Sequence, residues 1–569
     1  MNPFIRKTPD RSKPNRRDFM VQSGCASLGI TSVVNTLAHL KLMGTAAAQG
    51  AGTGDYKALI CIFLNGGTDT NNLLIPLAGG ARTQYESGRG VPTYAGGNGG
   101  IAIPLADIVS AGTQLAPINP VSEYEYTSGY LGADGNGNRL AVHPGGIHLK
   151  TLFDNEELAF ISNVGVLTQP NVTRANFTSL PPSQKPPQLF SHSDQQRQWQ
   201  SSIPDKPFTS GWGGRLADIL DSTHNTDEDA LAMMVSISGL NSFQVGTQQQ
   251  PYVMGAAGVT TLSGYGTNYT NGLLSLTPKP FSGYDPFKAP NVAGTNYKNT
   301  SNGWRLAALE QMLGMSHASL FDEAYINVSK NARVTEGLIG QALSITDNGE
   351  GGTTLDEHFI SAYEGSGING LTDGFAQQMR MVSRLIAGNS VLNNKRQIFF
   401  VQLGGWDTHV SQIPVLNNVA RTDQGYHRLL LGLSCAIKGL RDSVASVGLW
   451  DNVMAFTASD FTRTFTPNKT DATGGSDHGW GGHMMVMGGK VKGKRVFGQF
   501  PNLTTNGGID VQGNRGRWIP STSVDQYASV IAKWFGVDSG QIGTIFPNLS
   551  RFTDPFSPAG KLDFVDYSA

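Results

Sequence analysis

Ala58-Leu59-Ile60-Cys61-Ile62-Phe63-Leu64 runs straight into Asn65-Gly66-Gly67-Thr68-Asp69-Thr70-Asn71-Asn72. Seven consecutive apolar residues carry no one-sided stripe, and they fit a strand covered on both faces. Two more runs have this form. The run at 397–403 ends in Gly404-Gly405-Trp406-Asp407-Thr408-His409, and that at 453–457 ends in Ala458-Ser459-Asp460-Phe461-Thr462-Arg463-Thr464. Shorter apolar runs at 158–161 and 484–487 are a fourth and a fifth candidate. Apolar residues at helical spacing over 375–386 and 426–447 lead into the strands at 397 and 453. Helix alternating with buried strand predicts an α/β fold with a doubly wound, mostly parallel sheet. In such a sheet, ligands bind beyond the carboxyl ends of the strands.

Asp69, Asp407 and Asp460 would therefore meet at one edge. Gly475-Ser476-Asp477-His478-Gly479-Trp480-Gly481-Gly482-His483 sets two histidines ahead of the strand at 484. Aspartate with neutral imidazole suits a borderline divalent ion such as zinc. Each motif also has a plainer reading: the aspartates as turn or helix caps, Arg463 as a partner of Asp460, Asp407 and His409 as a hydrogen-bonded pair.

The chain has 569 residues, enough for one large domain with excursions or for two domains. Forty-two Lys and Arg against 43 Asp and Glu leave a charge of −1, which argues against nucleic acid as a partner. Glycine-rich stretches at 80–140 and 245–300 read as long surface insertions, and 301–345 as a helical cap. One large domain over 49–569 is expected. Cys61 and Cys435 lie in apolar segments and read as buried free thiols.

Residues 1–48 read as an address. Arg16-Arg17-Asp18-Phe19-Met20 resembles a twin-arginine signal; a weakly apolar segment and Ala46-Ala47-Ala48 follow. Export to the periplasm, with the twin-arginine translocase as transient partner, is expected. No later run is long enough to cross a bilayer.

Asn65-Gly-Gly-Thr-Asp69-Thr-Asn-Asn72, Ser191-His192-Ser193-Asp194-Gln195-Gln196, Gly404 to His409, Ser459 to Thr464 and Asp477-His478-Gly479-Trp480-Gly481 occur in the order seen in DUF1501 proteins, which this chain resembles over roughly 57–550. The resemblance implies an alkaline phosphatase-like sheet of the sulfatase superfamily, with one or two metal ions, expected to be zinc. It further implies metal ligands at Asp69 (or Asn65), Asp407, His409, Asp460 and His478, with His483 in reserve. Ser191 would hold the nucleophile position, with a metal-bound hydroxide as the alternative attacking group, His192 a ligand or base, and Arg463 a clamp on the oxyanion. Phe461 stands where that superfamily usually has a histidine. The expected function is an exported metal-dependent hydrolase of small-molecule or glycan-linked phosphate or sulfate esters. The alternative is a non-catalytic binding or scaffold protein of the cell envelope on the same fold. A redox enzyme is disfavoured, since no dinucleotide glycine fingerprint or haem motif occurs.

Overall fold

The computed structural model describes residues 56–118, 130–226, 231–258, 339, 342–343, 354–416, 419–511, 513–560 and 562–567. All of them lie in the larger of two compact units, formed by 52–261, 270–278 and 336–569. The signal-like segment at 1–48 and most of the proposed cap at 301–345 lie outside the described residues, as does 259–300 of the second insertion.

Among the described residues nine strands build the central sheet: β1 (Lys57–Leu64), β2 (Leu158–Gly165), β3 (Met234–Ser236), β4 (Tyr252–Val253), β5 (Arg396–Leu403), β6 (Val453–Ser459), β7 (Gly482–Gly488), β8 (Arg495–Gly498) and β9 (Thr522–Ser523). Their order across the sheet is β8-β2-β7-β6-β1-β5-β3-β4, with β9 also paired to β2. All neighbours run parallel except β7, which is antiparallel to both β6 and β2. The result is a mixed α/β fold with a mostly parallel sheet.

Side-chain alternation explains why the strands are apolar throughout. Ala58, Ile60 and Ile62 of β1 enter one core, while Leu59, Cys61 and Phe63 enter the other. Eight helices matter here: α1 (Gly79–Arg89), α2 (Ile147–Asp154), α3 (His192–Ser201), α4 (Trp212–His224), α5 (Leu355–Ala362), α6 (Gly374–Ala387), α7 (Gly425–Ser446) and α8 (Val524–Phe535). Residues of α2, α5, α6 and α7 fill the first core; those of α3, α4 and α8 fill the second. With helices on both faces, neither side of the sheet tolerates a polar stripe. The Asp373 carboxylate caps α6 by accepting from the Phe375 and Ala376 amides.

Two expectations need correcting. The strand at 484–487 runs against its neighbours, so its amino end, not its carboxyl end, reaches the edge where β1, β5 and β6 finish. Residues 80–140 are not simply surface loop. They contribute α1, a second helix (Leu105–Ala111) and the strand Gln114–Leu115 of a small sheet completed by Leu74–Pro76 and Leu140–Val142, with Tyr85, Ile108 and Leu115 buried. Apolar residues spaced among the glycines are enough to anchor them. Among the described residues no helix is long and apolar enough to cross a membrane. Cys61 and Cys435 are free and buried.

Candidate metal centre

The register brings three strand ends level: Leu64 pairs with both Leu403 and Ser459. The chain leaves β1 through Gly66 and Gly67, both with positive φ (116° and 80°). A Cβ on Gly66 would stand 2.6 Å from the Asp407 amide nitrogen, so only glycine lets the two loops approach this closely. After β5, Trp406 is buried edge-on to Tyr426, and this anchor presents Asp407 and His409 outward. Two successive short turns, Thr408 N–H to Trp406 O and His409 N–H to Asp407 O, tighten the segment.

Three imidazoles converge there. His192 opens α3, and Gln196, one turn on, shares its face. His192 Nδ1 lies 2.6 Å from Asp460 Oδ2, His409 Nδ1 lies 2.9 Å from Asp477 Oδ1, and His478 Nδ1 lies 2.7 Å from the Phe190 carbonyl oxygen. A carboxylate and a carbonyl only accept, so each Nδ1 carries the proton and each Nε2 is left to point inward. His478 Nε2 then meets His192 Nε2 at 3.1 Å and His409 Nε2 at 2.9 Å. One lone pair cannot satisfy two such neighbours, and facing lone pairs repel.

A cation held among them would resolve the conflict. His192, Asp407 and His478 each offer an atom within 4.8 Å of the others. The three separations are 3.1, 3.6 and 3.7 Å, against about 3.4 Å between donors at zinc–nitrogen distances in a tetrahedron. His409 Nε2 lies 3.2 Å from Asp407 Oδ1 and shares that edge of the group. Imidazole nitrogens held through their far nitrogen by carboxylate or carbonyl are the usual surroundings of a protein metal. The donor set fits a nitrogen-preferring divalent ion, zinc before calcium or magnesium.

The electrostatics favour neutral imidazole at two of the three histidines. Burial, then the nearby Arg463, pushes His409 below the ordinary imidazole range. Burial likewise lowers His478 against the opposing Phe190 hydrogen bond. Both are thus kept neutral, the form able to ligate a metal. The Asp460 carboxylate raises His192. Burial opposes ionisation of Asp407, but the Arg463 guanidinium, 2.7 Å away, holds its carboxyl below the usual range. The Phe461 ring, fully buried, lies 4.8 Å from both His192 and His478. At the position where the resembled superfamily has a histidine, an apolar wall stands instead.

Of the sequence-derived candidates, the structure brings His192, Asp407, His409 and His478 into direct approach. Asp460 sits behind His192, where it also accepts from the Gly66 amide and the Gln196 side chain, so it holds a candidate ligand. Arg463, expected to clamp an oxyanion, is engaged inside the protein. Its guanidinium is buried and donates to Asp407, Gly66 O and Ser476 O. Asp69 lies apart from the cluster: it is fully buried, ion-paired with Arg89 and bonded by Gln412. His483 is also apart, stacked on Phe500 at 5.2 Å, and burial pushes it down to about 3. Ser191 occupies the N-cap position of α3, but its hydroxyl donates to Asp194 Oδ2 at 2.5 Å rather than accepting from a helix amide. Asp477 and the Phe190 carbonyl were not singled out from the sequence. Asp477 adjoins His478 in a quoted motif, whereas a backbone carbonyl leaves no sequence signal.

The fold and this cluster define an α/β protein with a histidine–carboxylate centre at the end of its parallel strands. Residues 306–511 match the family model described as a protein of unknown function, DUF1501. The match supports the resemblance carried by the motifs. It includes Asp407, His409, Asp460, Asp477 and His478 and leaves out Asp69 and His192. No curated protein matches the chain. Among solved structures, Ps i-CgsB in complex with k-i-k-neocarrahexaose is similar at 11% identity over 70% of this chain and 68% of that one, with a TM-score of 0.25. Ps i-CgsB alone is similar at 10% identity over 71% of each chain, with a TM-score of 0.24.

Proposed function

We propose that this chain is an exported, metal-dependent hydrolase of phosphate or sulfate esters on an alkaline phosphatase-like sheet. The single observation that carries the metal is the approach of two imidazole Nε2 atoms to His478 Nε2, beside the Asp407 carboxylate, with every Nδ1 already committed. His192, Asp407 and His478, with His409, would hold one zinc-like ion. Bound there, the ion would supply Lewis acidity toward a phosphoryl or sulfuryl oxygen and toward water. Asp460, Asp477 and Phe190 O fix the imidazole orientations, Arg463 holds Asp407 ionised, and Phe461 excludes water from one side. Because the Ser191 hydroxyl is spent on Asp194, water is the preferred nucleophile. Export rests on the twin-arginine-like start.

The test is metal content after zinc reconstitution, with turnover of 4-nitrophenyl phosphate and 4-nitrophenyl sulfate. Stoichiometric zinc and turnover are expected; His478→Ala should lose both, while Ser191→Ala should keep turnover within about tenfold, since no covalent step through it is required. Failure of the wild type to retain any ion removes the hydrolase. A second reading, a non-catalytic envelope binder, is favoured by the commitment of both Ser191 and Arg463 inside the protein. Zinc retained without turnover of either ester, including by the Ser191→Ala protein, would select it.

A further inference from the structure

Two of the three Nδ1 partners trace back to one short segment, 513–518, which lies outside the family match. Gly513, Asn514 and Gly516 all have left-handed φ (68°, 56° and 66°), so the segment turns sharply. Its backbone is pinned on both sides of the centre. Gly516 O and Arg515 O accept from the Phe465 and Thr466 amides, and Trp518 O accepts from the Gly481 amide. Arg515 and Arg517, two residues apart, each reach a different histidine. The Arg515 guanidinium pairs with Asp477 Oδ2, whose other oxygen takes the His409 Nδ1 proton. The Arg517 guanidinium lies 4.2 Å over the Phe190 ring and donates through Nε to His478 O at 2.9 Å. Phe190 O is the acceptor for His478 Nδ1, and Phe190 itself is held at φ 73°, a conformation a bulky residue adopts only under constraint.

We propose that Arg515 and Arg517 are positioning residues of the centre: through Asp477 and Phe190 they fix the tautomer and direction of His409 and His478. As a statement about metal binding this rests on the reading above. The reasoning is one of restraint. Asp477 is partly exposed, and a carboxylate with one oxygen in water is free to swing; a guanidinium on Oδ2 leaves Oδ1 facing His409. Asn468 Nδ2, at 3.2 Å from Oδ1, is a weaker tether. On the other side, the cation over the Phe190 ring favours the ring position that carries the carbonyl toward His478.

The test uses full-length protein with 15N-labelled histidine, metal-free at pH 8, and Arg515→Met, Arg515→Lys and Arg517→Met variants, with His409→Ala and His478→Ala to assign signals. In the wild type, His409 and His478 should both carry the proton on Nδ1. Arg515→Met should move His409 toward a tautomer mixture, Arg515→Lys should restore part of the effect, and Arg517→Met should act on His478. In parallel, Arg515→Met should weaken cobalt(II) affinity about 10–100-fold and alter its visible spectrum. Wild-type tautomers and cobalt affinity in both methionine variants, at unchanged melting temperature, would overturn the proposal. Wild-type protein that takes up no cobalt, alongside methionine variants that still show the tautomer shifts, would sink the metal reading while leaving the positioning of the histidines intact. Should a methionine variant not fold, the lysine variant and an Asp477→Asn protein, read by the same two signals, decide.

Discussion

A methyl group on Gly67 would sit 2.5 Å from the Phe461 ring, at a φ of 80° that side chains resist. That one position ties the turn after β1 to the wall of the centre. Gly67→Ala should therefore cost roughly 1–3 kcal/mol, from left-handed strain and from displacing a buried ring. It should also loosen metal uptake, because Phe461 lies against His192 and His478. Urea unfolding with a zinc titration checks both; an alanine protein with wild-type midpoint and affinity would show that the ring does not support the imidazoles. The glycine pair was legible as a tight turn, and Asp407, His409 and His478 as candidate ligands. What the turn meets was not legible, since Phe461 lies almost four hundred residues away in sequence.

At the scale of elements, β7 and α8 are instructive. Reversing β7 brings its amino end, with His478 just before it, to the edge where the parallel strands finish, so one antiparallel strand completes the centre. An apolar run reads the same in either direction, which is why sequence could not give the polarity. In α8, Asp525 stands in the first turn behind its Ser523 cap, fully buried, with Oδ1 unpartnered. Burial pushes its carboxyl up to about 7, though Arg215 opposes this. A folded value above the unfolded one, near 3.9, means that the folded chain holds the proton more tightly. Stability from this group is thus complete below pH 4 and is lost as pH rises to 7. Asp525→Asn should equal the wild type near pH 4 and exceed it increasingly up to pH 7–8, by at most about 4 kcal/mol. Melting curves across that range test the sign; an advantage that shrinks as pH rises would refute it.

For the whole molecule, the sheet separates two cores, and each holds one thiol: Cys61 with α3, α4 and α8, Cys435 with α5, α6 and α7. Burial pushes Cys435 up to about 12 and Cys61 also upward, so neither offers a thiolate at neutral pH. A disulfide reagent should leave both untouched in the native protein and modify both at one denaturant concentration, if the cores melt together as layers on one sheet. Labelling of Cys435 well before Cys61 would show that they unfold separately.

The layered α/β class was readable from residue order, because strands buried on both faces must be apolar throughout, and so were most of the polar residues at the strand ends, because loops there carry what the core cannot. Tertiary structure alone decided which of those residues meet. Asp69 faces the interior and pairs with Arg89, Asp460 backs His192 rather than joining it, and Arg463 turns inward to Asp407. The spacing of residues along a loop sets what can reach the edge. The direction of each side chain depends on hydrogen-bond acceptors and packed rings contributed from distant parts of the chain.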